Sequence, residues 1–345
     1  MKEDSYPYSL DFVRNVAQSL DPIIVPIIHD YYSLALGITT ACNFRCPICY
    51  YHTPNAPIST HEMSISLLKH LLANMPRLSR IIIGLEGEPF LHTNFADVIR
   101  IISSHCREIV IISNGSILDN SHLSVLTRYN VTRLILSIDA GDAEHYQKFR
   151  QGGNLNVFRQ HTKSLLSAGI YATFHATVYK ENLSSLLLLP KLASELGIPT
   201  ISLQQMRPHS GTTARGVQST SLEDLECWLL TFMKCAAYHG ITIFPDKNFG
   251  GSRLSGCLRT IAAHNRYLKL YKNLGRLCQH INIMACIFAD GRLFPCAGDY
   301  KPIQPAEYSF NGIFNHPYLT LLRAIHKHGI LTEVCRICMN EKLSE

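Results

Sequence analysis

Cys42, Cys46 and Cys49 stand in the string Cys-Asn-Phe-Arg-Cys-Pro-Ile-Cys, a C-x3-C-x2-C pattern directly after an apolar run. Three thiolates so close together can hold three corners of a metal cluster and leave the fourth to something else. Iron–sulfur clusters are ordinarily held by four cysteine thiolates. One iron is therefore expected to stay open for a ligand, as a catalytic zinc keeps one position open. A structural zinc knuckle is the alternative, and it needs a fourth Cys or His in a short loop, a place that His52 suits.

The elements that position these thiols follow from the pattern around them. From about Ser33, short β-branched apolar runs alternate with longer amphipathic segments, as in repeated βα units with a parallel sheet. Strands are expected at Ser33–Thr40, Arg80–Leu85, Glu108–Ser113, Thr132–Asp139, Tyr171–Tyr179 and Thr200–Gln205. Helices are expected near Ser64–Asn74, Phe95–Ser104, Asn120–Tyr129, Asn156–Ala168 and Ser184–Leu196. Six units are too few for a closed eight-stranded barrel, so the expected class is α/β, a partial (β/α)6 TIM-like barrel with its chemistry at the C-terminal strand ends. Residues 1–32 read as a capping extension with an amphipathic helix at Asp11–Leu20, 33–215 as the barrel, 216–256 as a linker helix and loop, and 257–345 as a small Cys-rich α+β domain.

Composition narrows the function. The 345 residues suit one large α/β domain with an appendage. No run of 18 or more apolar residues occurs, and no basic segment with an apolar stretch opens the chain, so a soluble, cytoplasmic protein without a membrane partner is expected. The net charge of +6 comes from dispersed residues, which argues against a nucleic-acid partner. Twelve cysteines without a secretion signal point to metal or catalytic thiols.

The cysteine spacing resembles that of the radical S-adenosylmethionine (SAM) superfamily. The resemblance implies a [4Fe-4S] cluster whose open iron chelates SAM, and reductive cleavage of SAM to a 5'-deoxyadenosyl radical that takes a hydrogen atom from substrate. Glu86-Gly87-Glu88-Pro89 stands where the family usually has Gly-Gly-Glu-Pro, which assigns Gly87, Glu88 and Pro89 to the methionine amino group and leaves Glu86 as a departure. Ser113-Asn114 resembles the polar strand end near the ribose, and Ser137-Ile138-Asp139 the family's Ser-x-Asp. Arg150 resembles the family's Arg-Gly segment, where a guanidinium suits a carboxylate. Taken one by one, Ser113 and Ser137 also suit turn formation and Arg150 a solvated helix end. Ile48 takes a place often held by an aromatic residue.

The tail carries Cys278, Cys296, Cys335 and Cys338, with Asp290-Gly291 and Pro295 between the first two. It resembles the SPASM/twitch extension of radical SAM enzymes, which implies one auxiliary [4Fe-4S] cluster on these four thiolates. An Asp-Gly pair favours a tight hairpin turn. A zinc ribbon is the alternative. Cys286 suits the hairpin core or a ligand position, and Cys257 in its Gly-rich loop is either an ordinary thiol, an auxiliary ligand or a donor of hydrogen to a substrate radical. His175 and His209 fall at or beyond strand ends and are candidates for substrate contact.

The reading that follows is a radical SAM oxidoreductase or maturase with two [4Fe-4S] clusters. It would oxidise or epimerise a small polar metabolite such as an amino sugar or cyclitol, with flavodoxin or ferredoxin as electron donor. Maturation of a ribosomal peptide is the second reading, and a non-catalytic zinc-binding interaction protein the third.

Overall fold

The computed structural model of the chain describes residues 32–49, 51, 60–206, 220–245, 279–294, 303–305 and 307–327. Parallel strands cannot be joined by a tight turn, so apolar runs separated by amphipathic segments fold as strands with helical crossovers. Six such runs form β1 (Ser33–Leu36), β2 (Leu78–Ile83), β3 (Cys106–Ser113), β4 (Arg133–Ser137), β5 (Ala172–Val178) and β6 (Thr200–Gln205). Two more parallel strands extend the sheet at opposite edges: β7 (Thr242–Pro245) beside β6, and β8 (Met284–Ile287) beside β1. β9 (Leu293–Phe294) turns back antiparallel on β8, so the order is β7-β6-β5-β4-β3-β2-β1-β8-β9. Neighbours in sequence are neighbours in space from β1 to β7, the arrangement of a partial TIM-like α/β fold.

The crossovers are α1 (Ile65–Ala73), α2 (Phe95–Ser103), α3 (Asn120–Arg128), α4 (Ala143–Phe149), α5 (Leu155–Ser167) and α6 (Leu189–Leu196), followed by α7 (Leu222–Tyr238). Their starts are chemically marked: the side chains of Ser64, Asp119, Asp142 and Asn154 accept hydrogen bonds from the first-turn amides of α1, α3, α4 and α5. The continuous helix expected over Ser184–Leu196 is instead a short turn at Leu183–Leu186 followed by α6. Pro190 explains the break, because its ring nitrogen donates nothing and fits only a first helical turn. Helix α4 escapes a periodicity search because only Tyr146 and Phe149 are buried in it.

One face of the sheet packs with the helices. Leu34, Ile81, Ile111, Leu136, Phe174 and Ile201 are fully buried in that core. The alternating residues face the other way. There Ala35, Cys286, Phe288 and Phe294 make a small separate cluster on β1, β8 and β9, whereas Ser137, His175 and Ser202, all half-buried, align in one row across β4, β5 and β6. Near the C-terminus, α8 (Gln279–Ile283), α9 (Phe310–Phe314) and α10 (Pro317–Lys327) gather at the start of β1, where the Tyr32 ring lies 5.0 Å from Phe310 and 5.1 Å from Phe314. The capping helix expected at Asp11–Leu20 lies outside the described residues.

Candidate functional site

The cysteine loop leaves β1 and is gripped from two sides. Below it passes the turn after β2: the Glu88 N–H donates to Ala41 O at 2.7 Å. Gly87 has φ +50°, and a Cβ there would lie 2.4 Å from Ala41 O and 2.5 Å from Thr39 O, so the approach demands glycine. On the other side the Arg45 N–H donates to Gln151 O at 2.8 Å. A Cβ at Gly152 would lie 2.8 Å from Asn43 O. Phe44, only 1% exposed, anchors the loop in the protein.

Within this grip Cys46 is buried, and Cys42 and Cys49 are half-buried; all three are free of disulfides. Burial pushes the Cys46 thiol up to about 12, with the Arg150 guanidinium opposing; Arg150 Nη1 stands 4.0 Å from Cys46 Sγ. Burial also raises the Cys42 thiol, whose sulfur lies 3.5 Å from the Phe44 amide nitrogen and 4.0 Å from Asn114 Nδ2. Thiols of this kind ionise when a metal displaces their protons, and nearby N–H donors are what tune a cluster's potential. Among the described residues no group of three or more His, Cys, Asp or Glu side chains is gathered as a single-ion cage. Three thiols on one braced loop, ringed by N–H donors, fit a three-cysteine iron–sulfur cluster. His52, the fourth ligand of the zinc alternative, lies outside the described residues.

The strand-end residues form a continuous polar layer beside the loop. Glu88, 1% exposed, accepts from Ser113 Oγ at 2.8 Å, from the Asn114 N–H at 2.7 Å and from the Phe90 N–H at 3.3 Å. Burial nevertheless raises its carboxyl to about 7. Asn114 reaches back to the loop, donating to Asn43 Oδ1 at 2.9 Å. Pro89 opens the turn that follows Glu88. Asp139, fully buried, sits 2.7 Å from Arg150 Nε and accepts the Thr177 N–H at 2.9 Å. Burial works against the charge on Arg150, but Asp139 together with Cys46, Tyr146 and Tyr179 outweighs it and holds the guanidinium above its ordinary pKa. The structure thus brings Gly87, Glu88, Pro89, Ser113, Asn114, Asp139 and Arg150 together around the cysteine loop, with Ser137 two residues before Asp139 at the end of β4. Ile48, half-buried, packs against the main core.

Other candidates separate from this group. His92 uses both ring nitrogens internally, toward Met63 O at 3.0 Å and the Asn94 N–H at 3.0 Å, and is structural. Asp290-Gly291 makes the expected turn between β8 and β9, with Gly291 at φ +85°. Cys286 faces Phe294 across that hairpin and is 1% exposed. Cys257, Cys278, Cys296, Cys335, Cys338 and His209 lie outside the described residues. Two partners escaped the sequence reading. Tyr51 and the Ala289 amide both bond the carboxylate of Glu86, and only the unexpected acid in the Glu-Gly-Glu-Pro string hints at such a contact.

A fold of sequential parallel strands carrying a three-cysteine loop at its C-terminal end defines a class of enzymes that bind SAM on an iron–sulfur cluster. Residues 36–190 match the family model of the Radical SAM superfamily; the chain carries a Radical SAM domain over that stretch, and it is an enzyme. It is 26% identical to the AdoMet-dependent heme synthase of Methanosarcina barkeri over 90% of this chain and 89% of that protein. It is 25% identical to the AdoMet-dependent heme synthase of Oleidesulfovibrio alaskensis over 65% of this chain, and there spans 64% of the relative's length. Among solved structures, anSMEcpe with bound AdoMet shares the fold with a TM-score of 0.62 at 14% identity, covering 91% of each chain; it has also been solved with a bound Cp18Cys peptide. The domain match and the enzyme relatives set aside the non-catalytic zinc reading. Among the described residues no helix is long and apolar enough to cross a membrane.

Proposed function

We propose that the protein oxidises a polar substrate, an amino sugar or cyclitol in class, by removing a hydrogen atom from it, and that Cys278, Cys296, Cys335 and Cys338 would hold an auxiliary [4Fe-4S] cluster, which would supply an acceptor for the second electron. The observation that supports a polar substrate is the row Ser137–His175–Ser202 on the face of the sheet turned away from the helices. His175 Nδ1 lies 2.8 Å from Ser202 Oγ, and Ser202 Oγ donates to Phe174 O at 3.2 Å. These contacts make a polar, hydrogen-bonded row whose chemistry suits the hydroxyls or amine of a substrate.

A [4Fe-4S] cluster held by Cys42, Cys46 and Cys49 would supply, with SAM bound, reductive cleavage of SAM. The chain's own residues orient and bind. Gly87, Glu88 and Pro89 form the turn for the methionine amino end. Asn114 and Ser113 shape the ribose side, and Ser137 and Arg150 serve the carboxylate, with Asp139 fixing the Arg150 guanidinium. A flavodoxin or ferredoxin is the electron donor. Return of hydrogen from Cys257 would make the outcome an epimerisation instead. Modification of a peptide is the second reading, favoured by the peptide bound to anSMEcpe on a similar fold.

Iron and acid-labile sulfide after anaerobic reconstitution, read with deoxyadenosine formation under dithionite, test the proposal. About eight irons per chain with SAM cleavage is the expected result for two four-iron clusters. About four irons with cleavage would remove the auxiliary cluster from the account.

A further inference from the structure

Glu86 occupies a position that the superfamily's strand-end pattern gives to glycine, and the residue is 5% exposed. Oε1 accepts from Tyr51 Oη at 2.6 Å and Oε2 from the Ala289 N–H at 2.7 Å. Tyr51 stands two residues past Cys49 in the chain, whereas Ala289 lies in the turn between β8 and β9. One carboxylate therefore joins the exit of the cysteine loop, the end of β2 and the C-terminal hairpin.

The surroundings are built for this side chain. A Cβ at Gly37 would lie 2.1 Å from Glu86 Oε2, so glycine there makes the room, and the Gly37 N–H itself donates to Ile287 O at 2.8 Å on the same hairpin. Phe288 stacks on Phe294 with centroids 3.5 Å apart, and the Tyr51 ring lies 6.3 Å from Phe288. A buried carboxylate is tolerated only where donors compensate its lost hydration. Its two donors come from segments far apart in the sequence.

We propose that Glu86 is a positioning residue, a latch that docks the β8–β9 hairpin against the exit of the SAM-cluster loop. The latch holds with or without an auxiliary cluster in the tail. Removing the acceptor frees both segments. Gln in its place keeps the connection, since its amide oxygen accepts the Ala289 N–H and its amide nitrogen donates to Tyr51 Oη.

The test is hydrogen-exchange mass spectrometry on the reconstituted full chain, with electron paramagnetic resonance of the reduced, SAM-bound cluster, for wild type, Glu86→Gly, Glu86→Gln and Tyr51→Phe. In Glu86→Gly, exchange across 284–294 is expected to accelerate about ten- to a hundredfold, the loss of a hydrogen bond to a charged acceptor, with β3 to β5 unchanged. The g-values should shift in Glu86→Gly and return in Glu86→Gln. Should Glu86→Gly fail to fold, Tyr51→Phe is expected to shift the same g-values while leaving β3 to β5 protected. Unchanged hairpin exchange, equal acceleration across the whole sheet, or unshifted g-values would each overturn the latch.

Discussion

Replacing Glu88 with Gln removes a buried charge while keeping the shape of the side chain, and its effect on stability should depend on pH. In the wild type, burial raises the carboxyl from an ordinary 4.5 to about 7. The folded state then holds its proton more tightly than the unfolded chain, so this group's contribution is full below about 4.5 and is lost as pH rises through 7. At 1.36 kcal/mol per pKa unit the complete penalty is on the order of 3 kcal/mol, of which about 1.4 kcal/mol accrues between pH 6 and 9. Gln has no proton to lose. It does lose a hydrogen bond: turned so that its oxygen accepts the Asn114 N–H, its amino group faces the Phe90 N–H, donor against donor, at the site of the present 3.3 Å contact. An unsatisfied buried donor costs about 1–3 kcal/mol. Glu88→Gln is therefore less stable than the wild type at pH 6, and the gap narrows by about 1.4 kcal/mol toward pH 9. Urea unfolding of both proteins at pH 6, 7, 8 and 9 measures it, since every other titrating group is common to the two. Parallel stability curves over that range would refute the assignment of a raised, buried carboxyl to Glu88.

Gly87→Ala puts a methyl group 2.4 Å from Ala41 O at a positive φ; it should displace the cysteine loop and lower reconstituted iron at the first site, read by iron analysis and the cluster's absorbance. Asp139→Asn breaks the 2.7 Å pairing with Arg150 in a fully buried setting, for which a loss of roughly 3–5 kcal/mol is expected, seen as a lower unfolding midpoint. Cys286→Ala empties a small apolar space beside Phe294 and should cost about 1 kcal/mol while leaving the iron count unchanged; a fall in iron would make Cys286 a ligand.

Much of this protein is legible in its sequence because the signals are local. The C-x3-C-x2-C string specifies a three-thiolate site by itself, since spacing on a short loop limits where the sulfurs can stand. Apolar runs such as Arg80–Leu85 and Thr200–Gln205 mark strands because a buried parallel strand has little polar surface, and they fall at β2 and β6 within a few residues. Gly87 and Glu88 are readable for the same reason, lying next to each other at a strand end. What only the tertiary structure decides are pairings between distant segments. That β8 lies parallel to β1, that Arg150 spends its charge on Asp139 beside Cys46, and that Glu86 meets Ala289 follow from how the strand ends converge. A hydrogen bond spanning 203 residues leaves no periodicity or spacing in the chain, because its geometry exists only after the sheet has brought both ends together.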